Sequence, residues 1–183
     1  MTIIEWPLFC ENGFTGLIPE EKPLSITIGI FDGVHLGHQA LIKRIVSHND
    51  KIPVVITFRH EEKNTPEIQS FHERTITLEK LGVKILLVID FTESFKRMSG
   101  IEFLELLNKH GNIGFFAVGS NFRCGYQLDT DAAAIQRFFS SFNIPAEIIP
   151  EVKHDSQPIS SSRIRAAIAA GDFQLAEIML GRS

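Results

Sequence analysis

Residues Ser25 to Gln39 read SITIGIFDGVHLGHQ, and this stretch decides the fold. Ser25 to Phe31 is apolar and β-branched, the pattern of a strand buried on both faces of a parallel sheet. It runs into a turn punctuated by Gly29 and Gly33, where the absent side chains allow close backbone approach. The chain then enters a helix that continues through Leu41, Ile42 and Ile45, with His35 and His38 in its first turn. Spacing of i, i+3 places both imidazoles on one face, beside backbone N–H groups that lack an intrahelical partner. Such a helix start attracts anions, above all phosphates. Two imidazoles, two glycines and a helix dipole at one point predict polyphosphate chemistry. The bland alternative is a structural turn carrying one capping and one surface histidine. Zinc fits poorly, because no carboxylate or cysteine stands at ligand spacing and no HExxH occurs.

A second segment, Pro158 to Arg165, reads PISSSRIR. Pro158 and the serines at 160, 161 and 162 form a helix entry, with a hydroxyl available to cap it. The helix runs on to Gly171, a natural stop. Arg163 and Arg165 stand near its start, where cations oppose the helix dipole. That local conflict is relieved if they serve an anionic ligand. Otherwise they are two solvated arginines behind an ordinary serine cap.

Between and after these segments β and α patterns alternate. Pro53 to Phe58, Lys84 to Ile89, Ile113 to Val118 and Ala146 to Ile149 read as strands. Arg74 to Leu81 reads as a helix stopped by Gly82; Ser99 caps a helix through Phe103, Leu106 and Leu107; Thr130 caps one through Phe138 and Phe139. Helices over 161–170 and 173–180 close the chain. Alternation with short connections predicts right-handed crossovers and a doubly wound parallel sheet in three α/β/α layers. The first turn, the Gly119 turn and the 159–165 segment then gather at the carboxyl ends of the strands, where such sheets bind ligands. Residues 59–72 are the least patterned and read as an exposed loop.

Bulk properties agree with a single soluble domain. The 183 residues suffice for one α/β core, and 44% hydrophobic with 22% charged residues is ordinary globular composition. Eighteen basic against 22 acidic residues give a net charge of −4, so no basic field invites nucleic acid. No apolar run of about 18 residues suggests a membrane span, and no signal peptide opens the chain. Cys10 and Cys124 stand alone, without CxxC spacing, as expected of a reducing cytoplasm.

Taken together, GIFDGVHLGH and ISSSRIR resemble the paired signature of the HxGH nucleotidyltransferases, which have a Rossmann-like fold. With VGSNFRCG in the middle and GDFQLAEIMLGR near the end, the chain resembles the bacterial FAD synthetases, specifically their N-terminal FMN adenylyltransferase domain. In that family a riboflavin kinase domain follows. The resemblance therefore implies one adenylyltransferase-like domain over residues 1–183 with no kinase domain inside it. Such a chain works alone, beside a separate riboflavin kinase, or as part of a longer protein.

The resemblance also implies roles. His38 contacts the α- and β-phosphates of ATP, His35 orients the triphosphate, and Arg165 clamps departing pyrophosphate; these three form the catalytic set. Gly29, Phe31 and Gly33 line the adenosine side, while Gly37, Ser160, Ser161, Ser162 and Arg163 complete the ATP-binding set. Asn121 contacts FMN; its local alternative is a turn asparagine in the left-handed region. Magnesium accompanies the phosphates of ATP, FMN is the acceptor and FAD the product. The chain departs from the family pattern at Ile30, at Arg59, His60, Glu61 and Glu62, at Cys124, and after it in YQLDTD. These departures lie on the flavin or ribose side. They leave open a related nucleotidyltransferase with another phosphorylated acceptor, and beside both stands a non-catalytic flavin- or nucleotide-binding module.

Overall fold

A computed structural model describes residues 1–14, 16, 22–59 and 66–182. In chain order these form β1 (Thr2–Glu5), α1 (Trp6–Asn12), β2 (Leu24–Ile28), α2 (Leu36–Val46), β3 (Ile52–Arg59), α3 (Phe71–Lys80), β4 (Ile85–Asp90), α4 (Glu93–Lys96), α5 (Gly100–His110) and β5 (Ile113–Gly119). There follow β6 (Arg123–Cys124), a 3-10 turn (Tyr126–Leu128), β7 (Thr130–Asp131), α6 (Ala132–Ser141), β8 (Ala146–Ile149), β9 (Lys153–His154), β10 (Gln157–Pro158), α7 (Ser161–Ala169) and α8 (Phe173–Leu180).

The six long strands form one sheet in the order β1-β4-β3-β2-β5-β8, with every neighbouring pair parallel. Burial on both faces explains why these strands read as nearly unbroken apolar runs: all five residues of β2 are buried, as are residues 53–58 of β3. Alternate side chains go to opposite layers. Ile26, Ile56, Leu87 and Phe116 pack with Phe9, Phe103, Leu107 and Phe139 of α1, α5 and α6. Val55, Leu86, Phe115 and Ala117 pack with Leu41, Ile42, Ile45 and Leu78 of α2 and α3. The doubly wound, three-layer expectation holds. Its winding reverses at β2, which has β3 on one side and β5 on the other, and the crevice between β2 and β5 is the topological switch point.

Several boundaries differ from the expectations. The first strand ends at Ile28 rather than Phe31, because Phe31 and Val34 take φ of 57° and 43°, which no strand accommodates. Helix α3 starts at Phe71, not Arg74: Ser70 and Glu73 form a reciprocal capping box that fixes the entry. Within the segment read as an exposed loop, Arg59 therefore closes β3, Phe71 and His72 are helical, and Gln69 is buried. His60, Glu61 and Glu62 lie outside the described residues. The cap of α6 is Asp131, whose carboxylate accepts from the Ala134 amide at 2.8 Å, whereas Thr130 is buried and donates to Asp129. Elements β1 and α1, the short α4 and the two small hairpins have no counterpart in the sequence reading.

The β6–β7 hairpin closes one side of the site. Gly125 sits there at φ 84°, and a Cβ would collide with the Asp129 carboxylate and the Gly100 backbone. Gly125→Ala is expected to cost at least about 2 kcal/mol in urea melts, combining a left-handed residue with a backbone collision.

Candidate active site

The loop from Gly29 to His35 builds the site. Phe31, Gly33 and Val34 all have positive φ, 57°, 81° and 43°, and the two non-glycine residues carry strain of about 1–3 kcal/mol each. Neighbouring elements hold it. The Ile30 carbonyl accepts from Thr57 Oγ1 on β3 at 3.0 Å and from Arg74 Nη1 on α3 at 2.6 Å. The Val34 carbonyl accepts from Gln39 Nε2 at 3.0 Å, and the same amide reaches the Leu180 carbonyl of α8. Asp32, 3% exposed, accepts the Ile68 and Gln69 amides on Oδ1 and Arg165 Nη1 on Oδ2 at 2.7 Å.

This loop delivers the histidines. His35 is the N-cap of α2, and its Nδ1 accepts the His38 amide at 3.3 Å. The two rings stack with centroids 3.6 Å apart and planes 18° from parallel. Gly37 permits the stack, since a Cβ there would lie 3.1 Å from His35 Cε1. Burial lowers the pKa of His35 to about 4, against an opposing pull from the Asp32 charge. Burial, then the charges of His35 and Arg74, push His38 well below its ordinary value. Both imidazoles are neutral at physiological pH. With Nδ1 of His35 committed as acceptor, its proton sits on Nε2, free to donate. His38 Nδ1 is buried without a partner among the described residues.

The histidines open on a cavity of about 560 Å³, the size of a small-molecule site. It spans the β2–β5 switch point and is lined by Gly29, His35, Gly37 and His38 on one side and Gly119, Ser120 and Asn121 on another. Ser160 and Ser161 bring in the start of α7. Ser160 caps that helix by accepting the Arg163 amide at 3.2 Å, and Ser161 Oγ donates to the Asp32 carbonyl at 2.9 Å. Asn121 Nδ2 donates to Glu151 at 3.1 Å, and its φ is not positive, which excludes the left-handed turn role. Farther along, the wall is aromatic: Phe58, Phe91, Phe95 and Phe103 line it in mutual contact, with centroids 4.9–6.2 Å apart. The cavity thus joins a hydrogen-bonding end to a broad apolar one.

Other predicted site residues lie elsewhere. Phe31 is fully buried, its ring 5.0 Å from that of His38, and Gly33 packs against Ile68 and Leu180, so neither lines the cavity. Ser162 is exposed beside it. Arg163 Nη1 donates to the carbonyls of His154, Gln157 and Pro158, bracing the β9–β10 hairpin. Arg165 borders the site from behind Asp32, off the cavity wall. Arg59 is spent on Glu5 and Asp90. The sequence reading missed Asp32, Arg74 and the aromatic wall. Asp32 stood inside the quoted motif, but its partners come from positions 68, 69 and 165, which no local pattern connects to it. Cys124, also on the wall, is driven by burial and then the Asp129 charge to a pKa of about 12, an inert thiol. Among the described residues no three His, Cys, Asp or Glu side chains converge as metal ligands.

Stacked histidines and the starts of α2 and α7 thus meet at the switch point of a parallel α/β sheet, where such folds bind their ligands. A family model described as FAD synthetase matches residues 17–163, and the chain belongs to that family. An FAD synthetase of Listeria monocytogenes is 31% identical over 88% of this chain and 70% of its own length. A bifunctional riboflavin kinase/FMN adenylyltransferase of Haemophilus influenzae is 31% identical over 86% of this chain but 55% of its own length. The chain thus spans about half of that bifunctional relative. A crystal structure from Streptococcus pneumoniae, described as a macrolide-efflux protein, superposes with a TM-score of 0.81 at 26% identity, over 99% of this chain and 60% of that one. Here, among the described residues, no helix is long and apolar enough to cross a membrane.

The buried neutral histidines make stability acid-sensitive. The folded pKa of His35, about 4, lies below the ~6.5 of an unfolded chain, so the unfolded state takes up protons first. Stability is complete above about pH 6.5 and falls as pH drops toward 4. At pH 5 the His35 contribution amounts to about 2 kcal/mol relative to pH 7.5. Urea melts at the two pH values check this, and His35→Asn should shrink the difference.

Proposed function

We propose that this chain is an FMN adenylyltransferase, transferring AMP from ATP to FMN to give FAD and pyrophosphate. The observation that carries the reading is the cavity itself, in which stacked neutral histidines and the starts of α2 and α7 meet an aromatic wall. A nucleoside triphosphate and a flat aromatic phosphate ester need those two ends side by side.

A phosphate oxygen of FMN attacks the α-phosphorus of ATP. The new P–O bond completes the pyrophosphate link of FAD, while the bond from that phosphorus to the bridging oxygen breaks and both electrons leave with pyrophosphate. No covalent enzyme intermediate is needed, so catalysis consists of alignment and stabilisation of charge. His38 and His35 donate N–H bonds to the phosphate oxygens. The α7 start, with Ser160 and Ser161, holds the same chain of phosphates through backbone amides and hydroxyls. Arg165 supplies a permanent positive charge to the departing pyrophosphate. The aromatic wall stacks on the isoalloxazine, and Asn121, steadied by Glu151, meets its polar edge. Magnesium belongs to the substrate on this reading. The Asp32 carboxylate is already taken by two amides and Arg165, so the metal ion enters on the phosphates of ATP.

Purified protein with ATP, magnesium and either FMN or riboflavin, followed by chromatography, tests the reading. FAD is expected from FMN and not from riboflavin; no FAD from FMN overturns the assignment of the acceptor. His38→Ala is expected to lower kcat by at least about 100-fold while the protein stays folded, as its circular dichroism spectrum checks. Near-normal turnover in that variant removes His38 from the chemistry.

A further inference from the structure

Asp32 is placed to do more than fill the core. It is 3% exposed, and both carboxylate oxygens are occupied, Oδ1 by the Ile68 and Gln69 amides and Oδ2 by Arg165. Its main-chain carbonyl accepts from Ser161 Oγ in the first turn of α7. One residue of the histidine loop therefore grips the segment leading into α3 and both the start and the second turn of α7. Among the described residues Arg165 has only Nη1 engaged, by that carboxylate, and its side chain is 28% exposed, so the other N–H donors of its fork are left for a second anion. A carboxylate bonded to Nη1 restrains that end of the guanidinium, a restraint that an unpaired arginine on a helix surface lacks.

We propose that Asp32 is a positioning residue for adenylyl transfer, aiming the Arg165 guanidinium at the pyrophosphate end of the site and anchoring the start of α7 against the histidine loop. The inference rests on the reaction proposed above. A competing route runs through His35, whose pKa the Asp32 charge holds up against the effect of burial. The two routes differ in one respect: an effect carried by Arg165 vanishes when Arg165 is gone, whereas an effect carried by His35 persists.

Asp32→Asn is the variant of choice, because it keeps the shape and one oxygen for the Ile68 and Gln69 amides while turning an amide toward Arg165. Forward turnover with FMN and ATP, and reverse turnover with FAD and pyrophosphate, are measured for wild type, Asp32→Asn, Arg165→Ala and the double variant. Asp32→Asn is expected to lower kcat at least about tenfold and raise KM for pyrophosphate, leaving KM for FMN within about threefold. Added to Arg165→Ala, it is expected to change kcat by less than about threefold. Wild-type-like kcat in Asp32→Asn, or losses that multiply in the double variant, overturns the inference. Where Asp32→Asn does not fold, Arg165→Ala alone decides. Guanidinium ion, added below denaturing concentration, is recaptured by the unpaired carboxylate and restores turnover at least about fivefold; no restoration overturns the inference. Absence of FAD from the wild-type chain overturns the proposed reaction and this inference together, whereas wild-type turnover with multiplying losses counts against Asp32 alone.

Discussion

The conformation of one seven-residue loop governs everything else at this site. Gly29 to His35 leaves β2 and must reverse direction within a few residues to bring α2 back onto the sheet. It does so with three positive φ angles, two of them on residues that resist them. A conformation stored at that cost persists only where its surroundings over-determine it. Here the surroundings are Thr57, Arg74, Gln39, Arg165 and Ser161, which tie the loop to β3, α3, α2 and α7. The histidine stack and the depth of Phe31 in the core follow from that turn.

Sheet polarity brings the remaining parts to the same place. In a parallel sheet all carboxyl ends lie along one edge, so the turns after β2 and β5 meet wherever those strands are neighbours. The ends of β3 and β4 lie on the same edge, one and two strands away, and deliver Phe58 and Phe91 to the aromatic wall. A polar pocket and an apolar pocket thus share one rim without any dedicated linker. The long hydrophobic runs that make the sheet are also what make its edge usable, because they keep the rigid layer beneath the loops dry.

Much of this was legible. Strand–turn–helix, the two histidines and the serine cap of α7 are written in contiguous residues whose period and turn chemistry announce them. The capping box of Ser70 and Glu73 was equally local and could have moved the start of α3 back three residues. What was not legible depends on distant partners. Arg163 and Arg165 look alike in sequence, two cations in one helix start, yet one braces a hairpin through three carbonyls and the other pairs with Asp32. Their division follows from the pitch of the helix and from what packs against each face, and neither is a property of the segment alone. The aromatic wall escaped for the same reason: Phe58, Phe91, Phe95 and Phe103 come from β3, the turn after β4, α4 and α5, and read individually as core.

The protonation state of the histidines bears on how such a site catalyses rather than merely binds. A cationic pair would attract the triphosphate strongly in the ground state, and attraction shared equally by ground and transition states accelerates nothing. Buried, stacked and mutually repelling if charged, His35 and His38 stay neutral and offer N–H donors of fixed direction. In the proposed reaction their bonds would strengthen as negative charge moves onto the leaving phosphates, because a hydrogen bond to a more fully charged acceptor is the stronger one. The permanent charge is kept apart, on Arg165, where the ion pair with Asp32 already offsets part of it. Under the proposed reaction such a site would pull only moderately on ATP and most on the charge that bond breaking exposes. That gradient is what transfer between two anions requires.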